Sequence, residues 1–369
     1  MGTRIALLLP NLGGGGAQRV IVNLAGGFAR RGLGTDVVAV RAAGPLLADL
    51  PPRARLIDLG SRSTFAALPR LIRYIRRERP AAMLSTMSHC NVVALLARRL
   101  SRPGMRLVVR EATTLDWSRR RPLPVNERAV RVLMERLYPG ADLVVANSHG
   151  TAADLVGSGI VPGDRVRVIH NPVVCDEIFE KQREAAPHRW LQGGGIPVLI
   201  AVGRLHESKD HATAIRAFAA IRRDRAARLV ILGEGPERGR LLELADELHV
   251  AEDLDLPGFT ANPHAWLARA SALVCSSRWE GFGNVLVEAL AAGTPVISTD
   301  CPGGPGEILG GGRFGRLVPV GDHEALARSI VETLDDPPGR DLLVERAMDF
   351  TIDRISSLYL EALEPETPA

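Results

Sequence analysis

The sequence predicts an α/β protein built as two doubly wound parallel-sheet domains that face each other across a cleft. Three observations predict it. Short, nearly continuous apolar runs alternate with amphipathic stretches along almost the whole chain, as strands buried on both faces alternate with the helices that cover them. The rhythm breaks at IHNPVVCDEIF, where Asn171-Pro172 is a turn signal, and restarts after GGGIP. The 369 residues also suffice for two domains of about 150 residues each. The expected division is 1–175, 176–350, and a C-terminal helix and tail at 351–369 that packs back on the first domain.

In the first half, strands are expected at 4–10, 35–41, 55–59, 81–87, 106–111, 142–147 and 165–170. Stretches such as FAALPRLIRYIRRERP and ERAVRVLMERLYPG supply the helices between them. The second half restarts with VLIAVG, RLVILG, DLDLPG, ALVCSS, PVIST and RLVPV, again separated by helical segments. ERAMDFTIDRISSLYLEAL reads as one last helix before a Pro/Glu tail. The opening MGTRIALLLPNLGGGG holds a short apolar run and no small-residue cleavage site, so it reads as the first strand and not as a signal peptide. No stretch approaches the roughly 20 apolar residues of a membrane span. Four well-separated cysteines, with no C-x-x-C, indicate neither a zinc site nor a disulfide framework. The expected location is the cytoplasm, with peripheral contact at the inner face of the cytoplasmic membrane.

Charge is unevenly placed. Residues 1–170 carry 26 arginines and 11 acidic residues, a balance of +15, and the remainder carries −11. The first half is therefore expected to meet phosphates or an anionic membrane surface, with a solvated basic face as the plainer reading. Aromatic residues make up only 4% and no stacking motif appears, which argues against nucleic acid.

In sheets of this kind ligands bind beyond the carboxyl ends of the strands. The first such loop is GGGGAQRV. A dinucleotide fingerprint, G-x-G-x-x-G, would need a third glycine at Gln18 or Arg19, so that reading fails. VLIAVG is followed by RLHESKDH, which places Arg204 and Lys209 before a helix whose first N–H groups suit a diphosphate. Lys209 is one of only two lysines in an arginine-rich chain, which points to a need for a compact ammonium. RLVILG is followed by Glu234-Gly235-Pro236, where Gly233 and Gly235 permit close backbone approach. ALVCSS is followed by RWEGFGNVLVEALAAG, with Glu280 and Glu288 eight residues apart. If the helix reaches back to Glu280, the two carboxylates stand about 80° apart around its axis. Glu288 in so apolar a helix is costly to bury without a partner, whether a ligand, a cap or an ion pair. In DCPGGPGEIL, Gly303, Gly304 and Gly306 clear space ahead of Glu307.

VGRLHESKD, GEGP, EGFGNVLVEA and the GG-x-x-E element together resemble the retaining glycosyltransferases of family 4, which have the GT-B fold. GGGGAQRV and VIHNPV resemble that family's first-domain loop and interdomain connection. LYPGADLVVANSHGTAADL and TDCPGGPGEIL are similar to bacterial transferases that extend undecaprenyl-diphosphate-linked glycans with N-acetylhexosamines.

The resemblance implies that Arg204 and Lys209 neutralise the donor diphosphate, and that Glu280 contacts the donor sugar beside the amides of Phe282 and Gly283. Glu288 would bind the ribose, with Asn284 in the same donor-binding stretch. Gly233, Glu234, Gly235, Pro236 and Phe259 would line the nucleoside pocket, and Gly15 and Gly16 would lie nearest the donor. It implies a nucleotide sugar, with UDP first, no required metal or other cofactor, and a lipid-linked or other glycan acceptor. Many family members carry a first-domain histidine where this chain has Ala112. Arg110, Glu111, Thr113 and His89 become the acceptor-contact candidates in its place. His206 and His211 are expected at the surface and His170 in the hinge. A soluble acceptor, a nucleotide-sugar epimerase of the same architecture and a two-lobed solute-binding protein are the competing readings.

Overall fold

The computed structural model describes residues 4–102, 104–113, 125–193 and 195–364. It divides into two compact units, one built on the chain up to Val173 plus the segment from Ile352, the other on Val174–Thr351.

The first unit contains β1 (Arg4–Leu9), α1 (Gly16–Arg30), β2 (Gly34–Ala39), β3 (Ala54–Asp58), α2 (Leu68–Glu78) and β4 (Ala82–Thr86). It continues with α3 (Ser88–Ser101), β5 (Arg106–Glu111), α4 (Val125–Leu137), β6 (Leu143–Ala146), α5 (His149–Gly157) and β7 (Val166–Val168). Its seven parallel strands run in the order β3-β2-β1-β4-β5-β6-β7. Alternate residues of β1 enter opposite cores: Ala6 and Leu8 on one face of the sheet, Ile5, Leu7 and Leu9 on the other. Both faces are buried, which is why the strand reads as an unbroken apolar run.

The second unit contains α6 (Asp176–Arg183), β8 (Val198–Val202), α7 (His211–Arg222), β9 (Arg228–Leu232), α8 (Arg238–Glu247), β10 (Leu254–Gly258) and α9 (Pro263–Leu267). Then follow β11 (Ala272–Cys275), α10 (Asn284–Ala291), β12 (Val296–Thr299), α11 (Pro305–Ile308), β13 (Arg316–Val318), α12 (His323–Asp335) and α13 (Arg340–Met348). Its six parallel strands run β10-β9-β8-β11-β12-β13. Every strand expected from the sequence is present in both units.

The expected single C-terminal helix is two. It breaks at Asp349–Thr351, and the chain resumes as α14 (Ile352–Leu363) in the first unit. The break is anchored: Phe350 is buried edge-on against Phe282 with ring centroids 5.5 Å apart, and its carbonyl accepts from the Val174 amide at 3.0 Å. Helix α14 docks beside α1 at Gly27, where a Cβ would lie 2.1 Å from Ser356 Oγ.

Candidate functional site

Strand order locates the site. In the second unit β8 lies between β9 and β11, so the loops after β8 and β11 leave the sheet on either side of a switch in strand order. Such switch points are where open α/β sheets bind ligands. Those two loops carry Arg204, Lys209 and Glu280.

The β8 loop ends in a tight turn. Asp210 adopts a left-handed conformation (φ 44°, ψ 46°) immediately before α7. Its carboxylate pays for that strain with two bonds, accepting from Thr213 Oγ1 at 2.9 Å and Arg278 Nε at 3.0 Å. Ser276 Oγ lies 3.0 and 2.9 Å from the carbonyls of Lys209 and Asp210 and donates to them. The Arg278 amide donates to the Ser208 carbonyl at 2.8 Å. The two loops are thus fastened together along the backbone, and Lys209 Nζ donates to Glu280 Oε1. Ser277 Oγ donates to the same carboxylate oxygen at 2.7 Å. Burial alone would depress the Lys209 pKa, but the Glu280 carboxylate holds it above its ordinary value. Lys209 is therefore a cation throughout the neutral range. Arg204 stands exposed on the same loop, and its guanidinium makes no ion pair among the described residues.

The glycines of these loops serve the loops first. A Cβ on Gly233 (φ 146°) would lie 1.9 Å from the Gly203 carbonyl oxygen, and one on Gly235 would lie 2.3 Å from that of Leu205. A Cβ on Gly303 (φ 126°) would lie 2.1 Å from the Glu280 carbonyl oxygen, and one on Gly304 would lie 2.4 Å from that of Phe282. The space they clear is taken by neighbouring backbone, which sets the height of Glu280. The condition under which Glu280 and Glu288 would share a helix face is not met. The helix begins at Asn284 after Gly283 (φ 100°), so Glu280 is a loop residue held by Ser277, by Lys209 and by its backbone N–H, which donates to the Pro302 carbonyl at 3.1 Å. Glu288 is half-buried in α10 and has no hydrogen bond or ion pair from its carboxylate among the described residues. Of the remaining expected residues, Phe282 is buried, Glu234 and Pro236 are exposed, and Phe259 is 70% exposed.

Comparison with known proteins bears on the family and the fold. The family described as Glycosyltransferase Family 4 matches residues 14–177, and the one described as Glycosyl transferases group 1 matches residues 182–350. The chain belongs to the family 4 glycosyltransferases. One curated relative is the N-acetylgalactosamine-N,N'-diacetylbacillosaminyl-diphospho-undecaprenol 4-alpha-N-acetylgalactosaminyltransferase of Campylobacter jejuni. It is 34% identical over 248 residues, 67% of this chain and 65% of that protein. The D-inositol 3-phosphate glycosyltransferase of Thermobispora bispora is 35% identical over 64% of this chain and 60% of that protein. The chain thus spans less than two thirds of the length of these relatives. Among solved structures, the Anabaena protein HepE in complex with UDP and glucose superposes with a TM-score of 0.78. Its identity is 21%, over 98% of this chain and 99% of that one. Sucrose-phosphate synthase of Thermosynechococcus elongatus superposes with a TM-score of 0.81 at 20% identity, over 97% and 98% of the two chains. They share the GT-B fold with this chain.

In this family member the β1–α1 loop behaves differently from the second-unit loops. None of Gly13 to Gly16 has a positive φ. A Cβ on Gly13 or Gly15 would meet only the flexible side-chain ends of Asn11 and Gln18, at 3.0 and 2.6 Å, and one on Gly14 only the Pro45 ring at 3.9 Å. Gly14, Gly15 and Gly16 are exposed, and Gly15 caps α1. Backbone conformation does not require glycine there.

Arg110 is fully buried. It donates to Tyr359 OH at 3.0 Å, Thr86 Oγ1 at 3.0 Å and Asn171 Oδ1 at 2.5 Å, tying β5 to α14 and to the Asn171-Pro172 turn. Its position is that of an internal tie. Glu111 is buried as well, accepting from Tyr138 OH, Asn91 Nδ2 at 2.8 Å and Ser88 Oγ at 3.0 Å, and burial raises its pKa. His89 is half-buried at the start of α3 and its pKa is lowered by burial, while Thr113 is exposed.

The sequence reading missed Asp210, Ser276 and Ser277 as the supports of the pair, and it misplaced His211. That residue is 3% exposed, not at the surface. Burial, and then the charge of Lys209, push its pKa down to about 4. Protonation therefore favours the unfolded chain, where the pKa is about 6.5. The contribution is fully present above pH 6.5 and is lost as the pH falls towards 4, at most about 3 kcal/mol. His211→Gln is expected to flatten the fall in Tm across that window, measured as thermal melts from pH 7.5 to 4; parallel curves for the two proteins would count against it.

Proposed function

We propose that this chain transfers a sugar from a nucleotide donor, a UDP-hexose or UDP-N-acetylhexosamine, with retention of configuration, to a lipid-diphosphate-linked saccharide or related glycan. The observation that carries the reading is the Lys209–Glu280 pair at the strand-order switch, with Arg204 on the same loop making no ion pair among the described residues. The bond between the anomeric carbon and the donor diphosphate breaks as an acceptor oxygen bonds to that carbon from the same face. The acceptor proton passes to the departing phosphate oxygen. Arg204, Lys209 and the first N–H groups of α7 stabilise the charge that develops there. Glu280, fixed by Ser277, orients the sugar hydroxyls, aided by the Phe282 and Gly283 amides. Glu288 accepts from the ribose, and Gly233 to Pro236 with Phe259 line the base. Gly15 and Gly16 present bare backbone to the donor, and Glu111, Thr113 and His89 remain the acceptor-side candidates. The Campylobacter relative's undecaprenol-linked acceptor supports the lipid-linked reading, and the inositol phosphate relative keeps a soluble acceptor in play.

A half-buried carboxylate without a partner among the described residues makes Glu288 the sharpest test. Two hydrogen bonds to a charged group are together worth about 1.5–3 kcal/mol or more. Glu288→Ala is expected to weaken UDP binding about 10- to 100-fold by thermal shift or calorimetry. An unchanged UDP response in the variant, or none in the parent protein, would overturn the assignment. Incubation with UDP-sugars alone also separates an epimerase, which would convert the donor without any acceptor.

The proposal extends to membrane contact through α2, which holds most of RLIRYIRRERP. Arg73, Arg76 and Arg77 line a surface cavity of about 450 Å³ with Pro69 and Ile72. Phe65, just ahead of the helix, is 44% exposed, and so is 54% of Leu100, whose carbonyl accepts from Arg76 at 2.7 Å. A basic, apolar-edged surface fits an anionic leaflet, at about 1 kcal/mol per arginine. The triple Arg→Ser variant is expected to bind phosphatidylglycerol vesicles about 100-fold more weakly, measured by co-sedimentation. Equal binding would remove α2 from the contact.

A further inference from the structure

We infer that the second unit carries a second anion site, away from Lys209, which takes a phosphate-bearing ligand. Phe179, Gln182 and Arg183 at the end of α6, Ala268 and Arg269 after α9, and Arg340 at the start of α13 line a surface cavity of about 430 Å³. Three of its six lining residues are arginines and none is acidic. Arg183 and Arg340 have no hydrogen bond or ion pair from their guanidinium groups among the described residues. Glu184, next to Arg183 in sequence, is turned to Asn262, whose Nδ2 donates to it at 2.8 Å.

The cavity is pre-built on two sides. Arg269 Nη1 donates to the carbonyls of Gln182 at 3.1 Å and Ala265 at 2.9 Å, which clamps the last turn of α6 against the end of α9. Arg340 lays its stem across Gly293, where a Cβ would come within 2.4 Å of Arg340 Cγ. Gly293 (φ 67°) follows the C-cap of α10, and Thr294 Oγ1 donates to the Leu267 carbonyl at 2.7 Å, so this wall is fixed to the same α9 end. Gln182 is 8% exposed and its side-chain NH₂ has no partner among the described residues. A buried donor without an acceptor is costly, and so is gathering arginines round one cavity that no acidic residue lines. One phosphate group resolves both. It accepts bidentate bonds from Arg183 and Arg340, reaches the Gln182 amide, and sits at the positive first turn of α13. A soluble phosphomonoester and a phospholipid headgroup offer the same chemistry, and the inference is independent of the proposed transfer.

The test is a titration of the full chain with inorganic phosphate while UDP is saturating, so that any site at Lys209 is already occupied. Calorimetry should show phosphate binding that falls at least tenfold in Arg183→Ser/Arg340→Ser, with the UDP response of that variant unchanged. Gln182→Leu should weaken it less. Equal phosphate binding by the parent and the double variant, no binding by either, or loss of the UDP response along with phosphate would overturn the inference. Vesicles with and without phosphatidic acid then identify the source. Phosphatidate-dependent binding lost in the double variant assigns a headgroup, and phosphate binding without it assigns a soluble ligand.

Discussion

Lys209→Met is expected to lower sugar transfer about 10²- to 10³-fold, the loss seen when one preorganised stabiliser of developing charge is removed. The expectation follows from how completely the loop is organised around one ammonium. The stem of Lys209 lies across Gly203, where a Cβ would be 3.1–3.2 Å from three of its carbons. The backbone on either side is fixed by left-handed Asp210 and by Ser276. Its charge persists because its pKa is raised. The stabilisation it gives is present below the unfolded value of about 10.5 and is lost only as pH rises through the folded value, so neutral pH lies well inside the charged range. Methionine would also leave Glu280 with Ser277 as its remaining side-chain partner. Removing one member of a buried pair costs about 3–5 kcal/mol, less here because the Lys209 side chain is 21% and that of Glu280 10% exposed. Stability and chemistry are separated by Lys209→Met/Glu280→Gln, which removes the orphaned charge. That double variant should regain Tm and stay inactive in single-turnover assays with a UDP-sugar. Transfer within threefold of the parent in either variant would remove Lys209 from the reaction.

The strands were legible because parallel strands covered on both faces have no polar alternation to hide them. Both units restart the same pattern, so the second sheet was as readable as the first. The burial of His211 and of Arg110 had signals in the same code. His211 precedes Ala214, Ile215 and Phe218 by three, four and seven residues, which is the spacing of one helix face, and those three residues are buried. Arg110 sits inside LVVRE, in a strand buried on both faces, so it had to be interior and satisfied by Thr86, Tyr359 and Asn171. Those partners come from β4, α14 and the turn after β7, which no local pattern reveals. Periodicity could not show where α10 starts either, since the left-handed Gly283 that fixes its first turn carries no side chain. Glycine itself is ambiguous. Gly233, Gly235 and Gly303 are demanded by neighbouring backbone, whereas Gly13 to Gly15 meet only side chains. Composition alone makes the two groups look alike.

That ambiguity leads to the second large effect, Gly303→Ala. At Gly303 the backbone has φ 126°, which an alanine rarely adopts, and the added Cβ would lie 2.1 Å from the Glu280 carbonyl oxygen. The obstacle is backbone, so no rotamer change relieves it. The Glu280–Gly283 loop must move, and it is already tied through the Glu280 amide to the Pro302 carbonyl at 3.1 Å. Strain of about 1–3 kcal/mol is expected in stability. The larger effect falls on transfer, because moving the carboxylate proposed to orient the substrate by about 1 Å costs about 100-fold. Two controls divide conformation from collision. Gly311 has φ 65° with nothing within 4 Å of its Cβ position, so Gly311→Ala carries the backbone strain alone and should lower Tm without touching turnover. Gly306 lacks a positive φ and its Cβ would meet only Asp300 Oδ1 at 2.9 Å, so Gly306→Ala should be mild in both. A shift in kcat at Gly303 alone would identify the glycine as the seat of the Glu280 loop. A loss of activity no larger than that of Gly311→Ala would mean that the height of this loop does not govern the reaction.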